Sequence, residues 1–358
     1  MTSTLPWATY VDEAVLAREQ EAIFRHAWQY VGHAGQLGCG GSFFAARVGD
    51  VPVVVTRDGE GELRALLNVC RHRGSLVAEG AGERESLQCP YHAWTYGLDG
   101  RLVRAPRAER EEELDGEALG LLPLQVGTWG PFVFVNPDRA APPLDEVLRE
   151  LPRQVAEAGI DVDTLEFRLR TTSTLEANWK LVCENFLECY HCPVAHPGFA
   201  GIVDVSPDSY RLEVGETFSS QFGLLRQNGR AAYDTAGEIR HSQFHFLWPN
   251  TGINIFPGRP NLSIGPILPA GPRRTERYLD YFFAEDVEDT WVEELLAFDD
   301  QIGVEDRRLV ESVQCGVASG LVEAGRLMGE SEVLIGDFQR RVRDALSLEA
   351  PVPDARPI

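Results

Sequence analysis

Lysine is almost missing from this chain: Lys180 is the only one among 33 basic residues. Those 33 face 55 acidic residues, for a formal net charge of -22. Such a surface repels phosphate backbones, which excludes nucleic acid as a natural partner. No apolar run approaches the ~20 residues that span a bilayer, so no membrane partner is expected. The opening stretch MTSTLPWATYVDEAV lacks the basic-then-apolar order of a secretion signal, which points to the cytoplasm. Cysteine is scarce and odd in number, with Cys39, Cys70, Cys89, Cys183, Cys189, Cys192 and Cys315. An odd set without a secretion signal argues against a disulfide framework and leaves metal binding, catalysis or plain burial.

What is present is an ordinary globular balance, 44% hydrophobic and 25% charged, over 358 residues. That length predicts about two domains. Residues 11–29 carry apolar positions among charges and read as a surface helix. From about 40 to 135, short β-rich runs such as VPVVVTR and GPFVFVN alternate with Gly-containing turns, the pattern of an all-β unit built from hairpins. NPDRAAPPLDE at 136–146 is a Pro-rich boundary. Beyond it, 178–190 is helical by period. SQFHFLW, TGINIFP, NLSIGPIL and RTERYLDYFFAE then read as consecutive antiparallel strands, and 286–317 as a long helical segment, in one piece or two. The Pro-rich end 349–358 is expected to be disordered. The predicted class is α+β, with an N-terminal helical segment 1–38, a small all-β domain 39–138, and a domain of antiparallel sheet packed with helices over 139–348.

Two Cys/His pairs sit close together. NVCRHRG carries Cys70 and His72, and CPYHAW carries Cys89 and His92 nineteen positions later. Zinc takes Cys2His2 sets, but here each pair is mixed and each sits on what reads as a hairpin loop. A Rieske [2Fe-2S] centre explains the mixing: one iron takes both thiolates and the other both imidazoles, so each loop supplies one ligand to each iron. Gly74 and Pro90 suit tight loops around such a cluster.

A second group lies in ENFLECYHCPVAHPG, where His191 and His196 are five apart with Pro193 between them. The proline stops the helix and lets the imidazoles converge across a turn. Two imidazoles and one carboxylate make the facial triad of non-haem Fe(II) oxygenases; packed or hydrogen-bonded histidines have the same spacing.

The Cys/His pairs followed by NWKLVCENFLECYHCPVAHP, with its N-W-K, E-N and Y-H-x4-H elements, resemble the catalytic α subunit of Rieske non-haem iron oxygenases, from Trp28 to about residue 320. The resemblance implies a catalytic domain of helix-grip type after the Rieske domain, and a third iron ligand on a helix near the C-terminus. Asp299, Asp300, Glu305, Asp306 and Glu311 are the candidates there. On a helix, Asp306 shares a stripe with Ile302, Leu309, Val310, Val313 and Val317, where an unpaired carboxylate is costly and a cation removes the cost. The family pattern also favours Asp306, whereas Glu305 has Arg308 and Ser312 on its face and is more easily solvated.

The resemblance further implies that an acid three residues before the first histidine bridges the Rieske site of a neighbouring subunit to the iron. The family usually has aspartate there and this chain has Glu188. It implies a head-to-tail homotrimer, substrate and O2, and electrons from a separate NAD(P)H-dependent reductase or ferredoxin. The chain itself has no plant-type ferredoxin spacing and no nucleotide-binding glycine fingerprint. Arg71, Arg73, Arg101, Arg104 and Arg107 form a basic island near the first pair, a dock for an acidic electron donor or a solvated face. The E-C-Y-H form resembles oxygenases of quaternary ammonium compounds, so hydroxylation or demethylation of a small methylated substrate is expected. Phe244, Phe246, Trp248 and Phe256 are candidates for an aromatic cage. The alternatives are an aromatic-ring cis-dihydroxylating dioxygenase, a non-enzymatic Rieske electron carrier, and a zinc-binding interaction protein. His26, His33, His241 and His245 have no partner at ligand spacing, and Cys183, Cys189 and Cys192 read as small buried residues.

Overall fold

Strands rich in β-branched residues and a few long amphipathic helices make up the chain. Its structure, a computed structural model, describes residues 2–38, 40–110, 116, 118–226 and 232–348. Cys39 and the end 349–358, expected to be disordered, lie outside the described residues. The chain divides into two compact units, Phe24–Val147 on one hand and Met1–Ile23 with Leu148–Ile358 on the other. Residues 24–38, expected in the N-terminal segment, therefore fall in the β unit. The strand Gln29–His33 is buried throughout and pairs antiparallel with Phe132–Asn136. Residues 139–147 stay with the same unit, where the Trp28 indole N–H donates to the Pro142 carbonyl at 2.9 Å.

In the β unit, a seven-stranded sheet runs in the order Gln29–His33, Phe132–Asn136, Pro123–Trp129, Leu63–Leu67, Val51–Arg57, Ser42–Val48, Ala81–Glu83. Alternate side chains point to opposite faces. Val53 and Val55 join Val31, Val133 and Val135 in one core. Val54, between them, faces the other way and packs with Phe43 and Leu66 against Leu87, Tyr96 and Leu98, which belong to or follow the small sheet Ser86–Gln88, Thr95–Gly97, Leu102–Arg104. Cys70 and Cys89 are part of this second core, so the loops that bear them are anchored between two sheets.

In the larger unit an antiparallel sheet runs Leu165–Leu175, Arg274–Ala284, Asn261–Gly271, Thr251–Ile255, His241–Leu247, Phe218–Leu225, Val203–Asp204, with Arg211–Val214 also paired to Phe218–Leu225. The four middle strands are those read from sequence. Leu165–Leu175 was not read as a strand, because this outer strand is mostly exposed and mixes charge with threonine instead of alternating. The segment 286–317 is one unbroken helix, Asp289–Val317. Gly303 costs it about 1 kcal/mol against alanine, too little to break it. Leu279, Tyr281 and Phe283, at strand period, pack on Trp291, Leu295 and Phe298, at helix period. The α+β class is as expected. Among the described residues no helix is long and apolar enough to cross a membrane.

The candidate active site: two metal centres

Each Cys/His pair sits on a loop, and the two loops repeat one backbone pattern. Cys70 N–H donates to the Ser75 carbonyl at 2.8 Å and Gly74 N–H to the Cys70 carbonyl at 3.0 Å. In the second loop, Cys89 N–H donates to Trp94 at 2.8 Å and Ala93 N–H to Cys89 at 3.0 Å. The fifth residue of each loop is left-handed, Gly74 at φ 77° and Ala93 at φ 59°. Glycine takes that conformation freely; alanine holds it against a cost of about 1 kcal/mol, which the repeated hydrogen bonds offset.

The loops bury both thiols, at 3% and 2% exposure, and leave both imidazoles exposed. The His72 and His92 rings meet edge-on with centroids 4.7 Å apart, and the Trp94 ring stacks on His72. The Tyr96 hydroxyl accepts from Arg71 N–H at 3.0 Å and lies 3.3 Å from Cys70 Sγ. Its single proton is therefore free to be donated to the sulfur. Burial pushes the Cys89 thiol up, but hydrogen bonds from Tyr91 N–H, Cys70, His92 N–H and Ser75 outweigh it and bring the thiol below its usual value. Two buried, hydrogen-bonded thiols with two imidazoles on the outer rim fit the donor set of a Rieske cluster.

The second centre grows from the helix Trp179–Phe186. Asn178 caps it, its side chain accepting from Lys180 N–H. Trp179 Nε1 and Lys180 Nζ both donate to the buried Glu19 carboxylate, at 2.7 and 2.6 Å. The lone lysine is thus a fully buried, paired anchor. After Phe186 the chain turns, and Pro193 sits in the short helix Cys192–Ala195, with His191 just before it and His196 just after.

His191 Nε2 and His196 Nε2 come within 3.1 Å, and Asp306 Oδ1 lies 2.9 Å from the second and 3.5 Å from the first. One ligand atom from each of the three fits within a 4.8 Å span. Asn185 Nδ2 holds Asp306 Oδ1 at 3.1 Å. The far nitrogens of both rings meet carboxylates too: Glu305 Oε2 accepts from His196 Nδ1 at 2.7 Å, and Glu188 contacts His191 Nδ1. Glu188 also accepts from the backbone N–H of His191 at 3.1 Å. Burial alone would depress His191, but Asp306 and Glu188 outweigh it and lift the imidazole to about 9. Burial pushes Asp306 up, yet the two imidazoles hold it well below the usual carboxylate range. A pocket that attracts protons this strongly attracts a divalent cation for the same reason, and two imidazoles with one carboxylate suit Fe(II).

Sequence alone offers Glu305 as one candidate third ligand and gives Asn185 no role. Asn185 lay in plain view in the E-N element. The signal for the role of Glu305 is its place next to Asp306, since carboxylates behind metal-binding imidazoles are a general feature. The apolar stripe around Asp306 is narrower than helical phase predicts. Val310 and Val317 are buried, but Leu309 and Val313 are 36% and 48% exposed, because the buried face follows Leu295, Phe298, Val310 and Gln314. Cys189 and Cys192 are joined as a disulfide, Cα atoms 4.9 Å apart, in place of two plain buried thiols.

A cavity of about 110 Å3 opens beside this triad, with Phe199, Tyr210, Phe244 and Phe256 on its walls. Phe246 and Trp248, the other expected cage residues, pack instead on Phe338, at centroid distances of 5.8 and 5.6 Å. Phe246 lies on the same strand face as Phe244, about 7 Å along it, and Trp248 lies in the turn just beyond the strand's end at Leu247.

Residues 27–125 match the Rieske [2Fe-2S] domain family, and residues 162–348 match the ring hydroxylating alpha subunit catalytic domain. The chain is 33% identical, over 95% of its length and 94% of the relative's, to the carnitine monooxygenase oxygenase subunit of Acinetobacter pittii (strain PHEA-2). It is 33% identical to the chloroplastic choline monooxygenase of Beta vulgaris, over 96% of this chain and 77% of the relative. Among solved structures it resembles a quaternary ammonium Rieske monooxygenase in complex with L-carnitine, with a TM-score of 0.83, 31% identity, and coverage of 96% of this chain and 95% of that one. The catalytic partner domain, and a triad a simple carrier has no use for, exclude the electron-carrier and zinc readings. Rieske oxygenases use a [2Fe-2S] cluster and a mononuclear iron to incorporate oxygen from O2, with electrons from a separate donor. The chain belongs to this family, as a catalytic α subunit.

Proposed function

We propose that this chain is the oxygenase component of a quaternary ammonium monooxygenase, hydroxylating a carbon of a small substrate or removing an N-methyl group through that hydroxylation. In this reading Cys70, His72, Cys89 and His92 hold the cluster, and His191, His196 and Asp306 hold the iron. The observation that carries the substrate class is the pocket wall: Phe199, Tyr210, Phe244 and Phe256 offer ring faces beside the triad. A quaternary ammonium group cannot donate hydrogen bonds and is held by such faces at close range. The relatives above, named for choline and carnitine, support the same class.

Bound at these sites, the cluster would supply single electrons and the iron would activate O2. The remaining work falls to the chain's own residues. Glu305 and Glu188 fix both imidazoles with Nε2 toward the metal position. Asn185 orients Asp306. The aromatic walls exclude water and present the substrate. Glu188 is the electron-transfer bridge to the Rieske histidine of a neighbouring subunit in a homotrimer. Arg73, Arg104 and Arg107, exposed near the cluster, serve docking of an acidic reductase or ferredoxin. The cytoplasm suits NAD(P)H as the ultimate donor. Neither nucleic acid nor membrane enters the cycle.

The test couples the purified oxygenase to a surrogate reductase and follows NAD(P)H and O2 consumption with choline, L-carnitine, an aryl methyl ether and a simple arene. Consumption and an oxygenated product with the ammonium compounds alone support the reading; a cis-diol from the arene would refute it.

A further inference from the structure

Among the described residues, the one arginine or lysine that lines the pocket beside the triad is Arg277, on the strand Arg274–Ala284. Among the described residues its guanidinium makes no hydrogen bond and no ion pair. Its neighbours differ. On the adjacent strand, Arg170 grips Asp280 with two hydrogen bonds of 2.6 and 2.7 Å and lies over the Tyr278 ring. Asp299, an acid that interacts electrostatically with Arg277, accepts from the Tyr281 hydroxyl at 2.5 Å. Burial pushes the Asp299 carboxyl up, against the pull of Tyr281 and Arg277. Arg277 also borders the cleft between its own strand and the helix Asp289–Val317, which sets it at the end of the pocket away from the imidazoles.

The pocket thus has two unlike ends. Aromatic faces near the triad suit a methylated cation, and an uncommitted guanidinium at the far end suits an anion. A cation without an anion would leave this half-buried guanidinium to solvent alone. Guanidinium and carboxylate form paired, charge-assisted hydrogen bonds. We propose that the substrate is a betaine, a quaternary ammonium compound that also carries a carboxylate, and that Arg277 binds that carboxylate and thereby selects betaines over ammonium alcohols. This rests on the quaternary-ammonium reading above.

Calorimetric titration of the full-length holoprotein under anaerobic conditions tests it, with glycine betaine, γ-butyrobetaine and choline as probes and Arg277→Gln and Arg277→Lys as variants. Glycine betaine and choline differ chiefly in carboxylate against hydroxyl. The wild type is expected to bind the betaines at least about tenfold more tightly than choline. Arg277→Gln should weaken betaine binding about 10–100-fold and leave choline within about twofold, and Arg277→Lys should recover part of the loss. Betaine binding indifferent to Arg277→Gln, or equal losses for betaines and choline, would overturn the assignment and leave Arg277 as a counter-charge for Asp299. Failure of the wild type to bind any of the three would overturn the ammonium reading, and this assignment with it.

Discussion

Glu305 and His196 form a carboxylate–imidazole pair at 2.7 Å, while the next residue on the same helix, Asp306, meets the opposite nitrogen of that ring at 2.9 Å. Two consecutive acids of one helix therefore fix a single imidazole from both sides, one aligning it and one sharing its metal position. Glu305→Ala should lower affinity for the mononuclear iron about 10–100-fold, with the cluster spectrum unchanged. Glu305→Gln, whose amide oxygen still accepts from Nδ1, should lose less. Iron retained against a chelator measures both.

The proposed bridging role of Glu188 can be tested separately from iron binding. Its carboxylate contacts His191 Nδ1 and accepts from the backbone N–H groups of Tyr190 and His191. Glu188→Gln should slow turnover by about 10-fold or more while iron content and reduction of the cluster by the reductase stay near wild type. Stopped-flow oxidation of the pre-reduced cluster by O2 in the presence of substrate isolates the step. An unslowed oxidation would remove Glu188 from the electron path.

Tyr96 tunes the cluster through Cys70. Donation of its proton to the sulfur, 3.3 Å away, stabilises the more negative, reduced state. Tyr96→Phe should lower the reduction potential by about 40 mV, the one-electron equivalent of about 1 kcal/mol. Protein-film voltammetry reads it, and a rise in potential would contradict the hydrogen bond.

Two buried groups shape the pH dependence of stability. Burial pushes Glu184 up to about 7, against hydrogen bonds from Gln339 and Tyr10. Its folded form holds the proton more tightly than the unfolded chain, so stability present below the ordinary carboxylate pKa is lost as pH rises through 7. Burial pushes His245 down to about 3, so its contribution is lost as pH falls below the ordinary imidazole value. Between roughly pH 4.5 and 6.5 the two slopes oppose each other. Glu184→Gln keeps an acceptor for Tyr10 and Gln339 and carries no charge. Its melting temperature should exceed that of the wild type by a margin that grows from pH 5 to pH 8, equivalent to roughly 3 kcal/mol at the alkaline end.

Much of the site could be read from the linear sequence because its chemistry is local. Cys70 and His72, or His191 and His196, lie within one loop or turn, and their spacing is itself the geometry. Asp306 needed helical phase as well, and phase succeeded only in part: Val310 and Val317 are buried as expected, but Leu309 and Val313 face out. Residues that act across the fold were harder to see. Glu19 beneath Lys180, Glu305 behind His196 and Arg277 at the pocket end depend on contacts between elements more than 100 positions apart or on a strand's place in a sheet. Phe246 and Trp248 show the converse: closeness to Phe244 in the sequence could not tell where the pocket ends.

Two different iron centres are built from these seven ligands. Metal and acid-labile sulfide analysis of anaerobically prepared protein tests it most directly, on the wild type and on a His191→Ala, His196→Ala double variant. The account predicts about three irons and about two sulfides per wild-type chain, and about two of each in the variant, which keeps its brown colour. Zinc in place of iron, or an iron content unchanged by loss of both histidines, would contradict it.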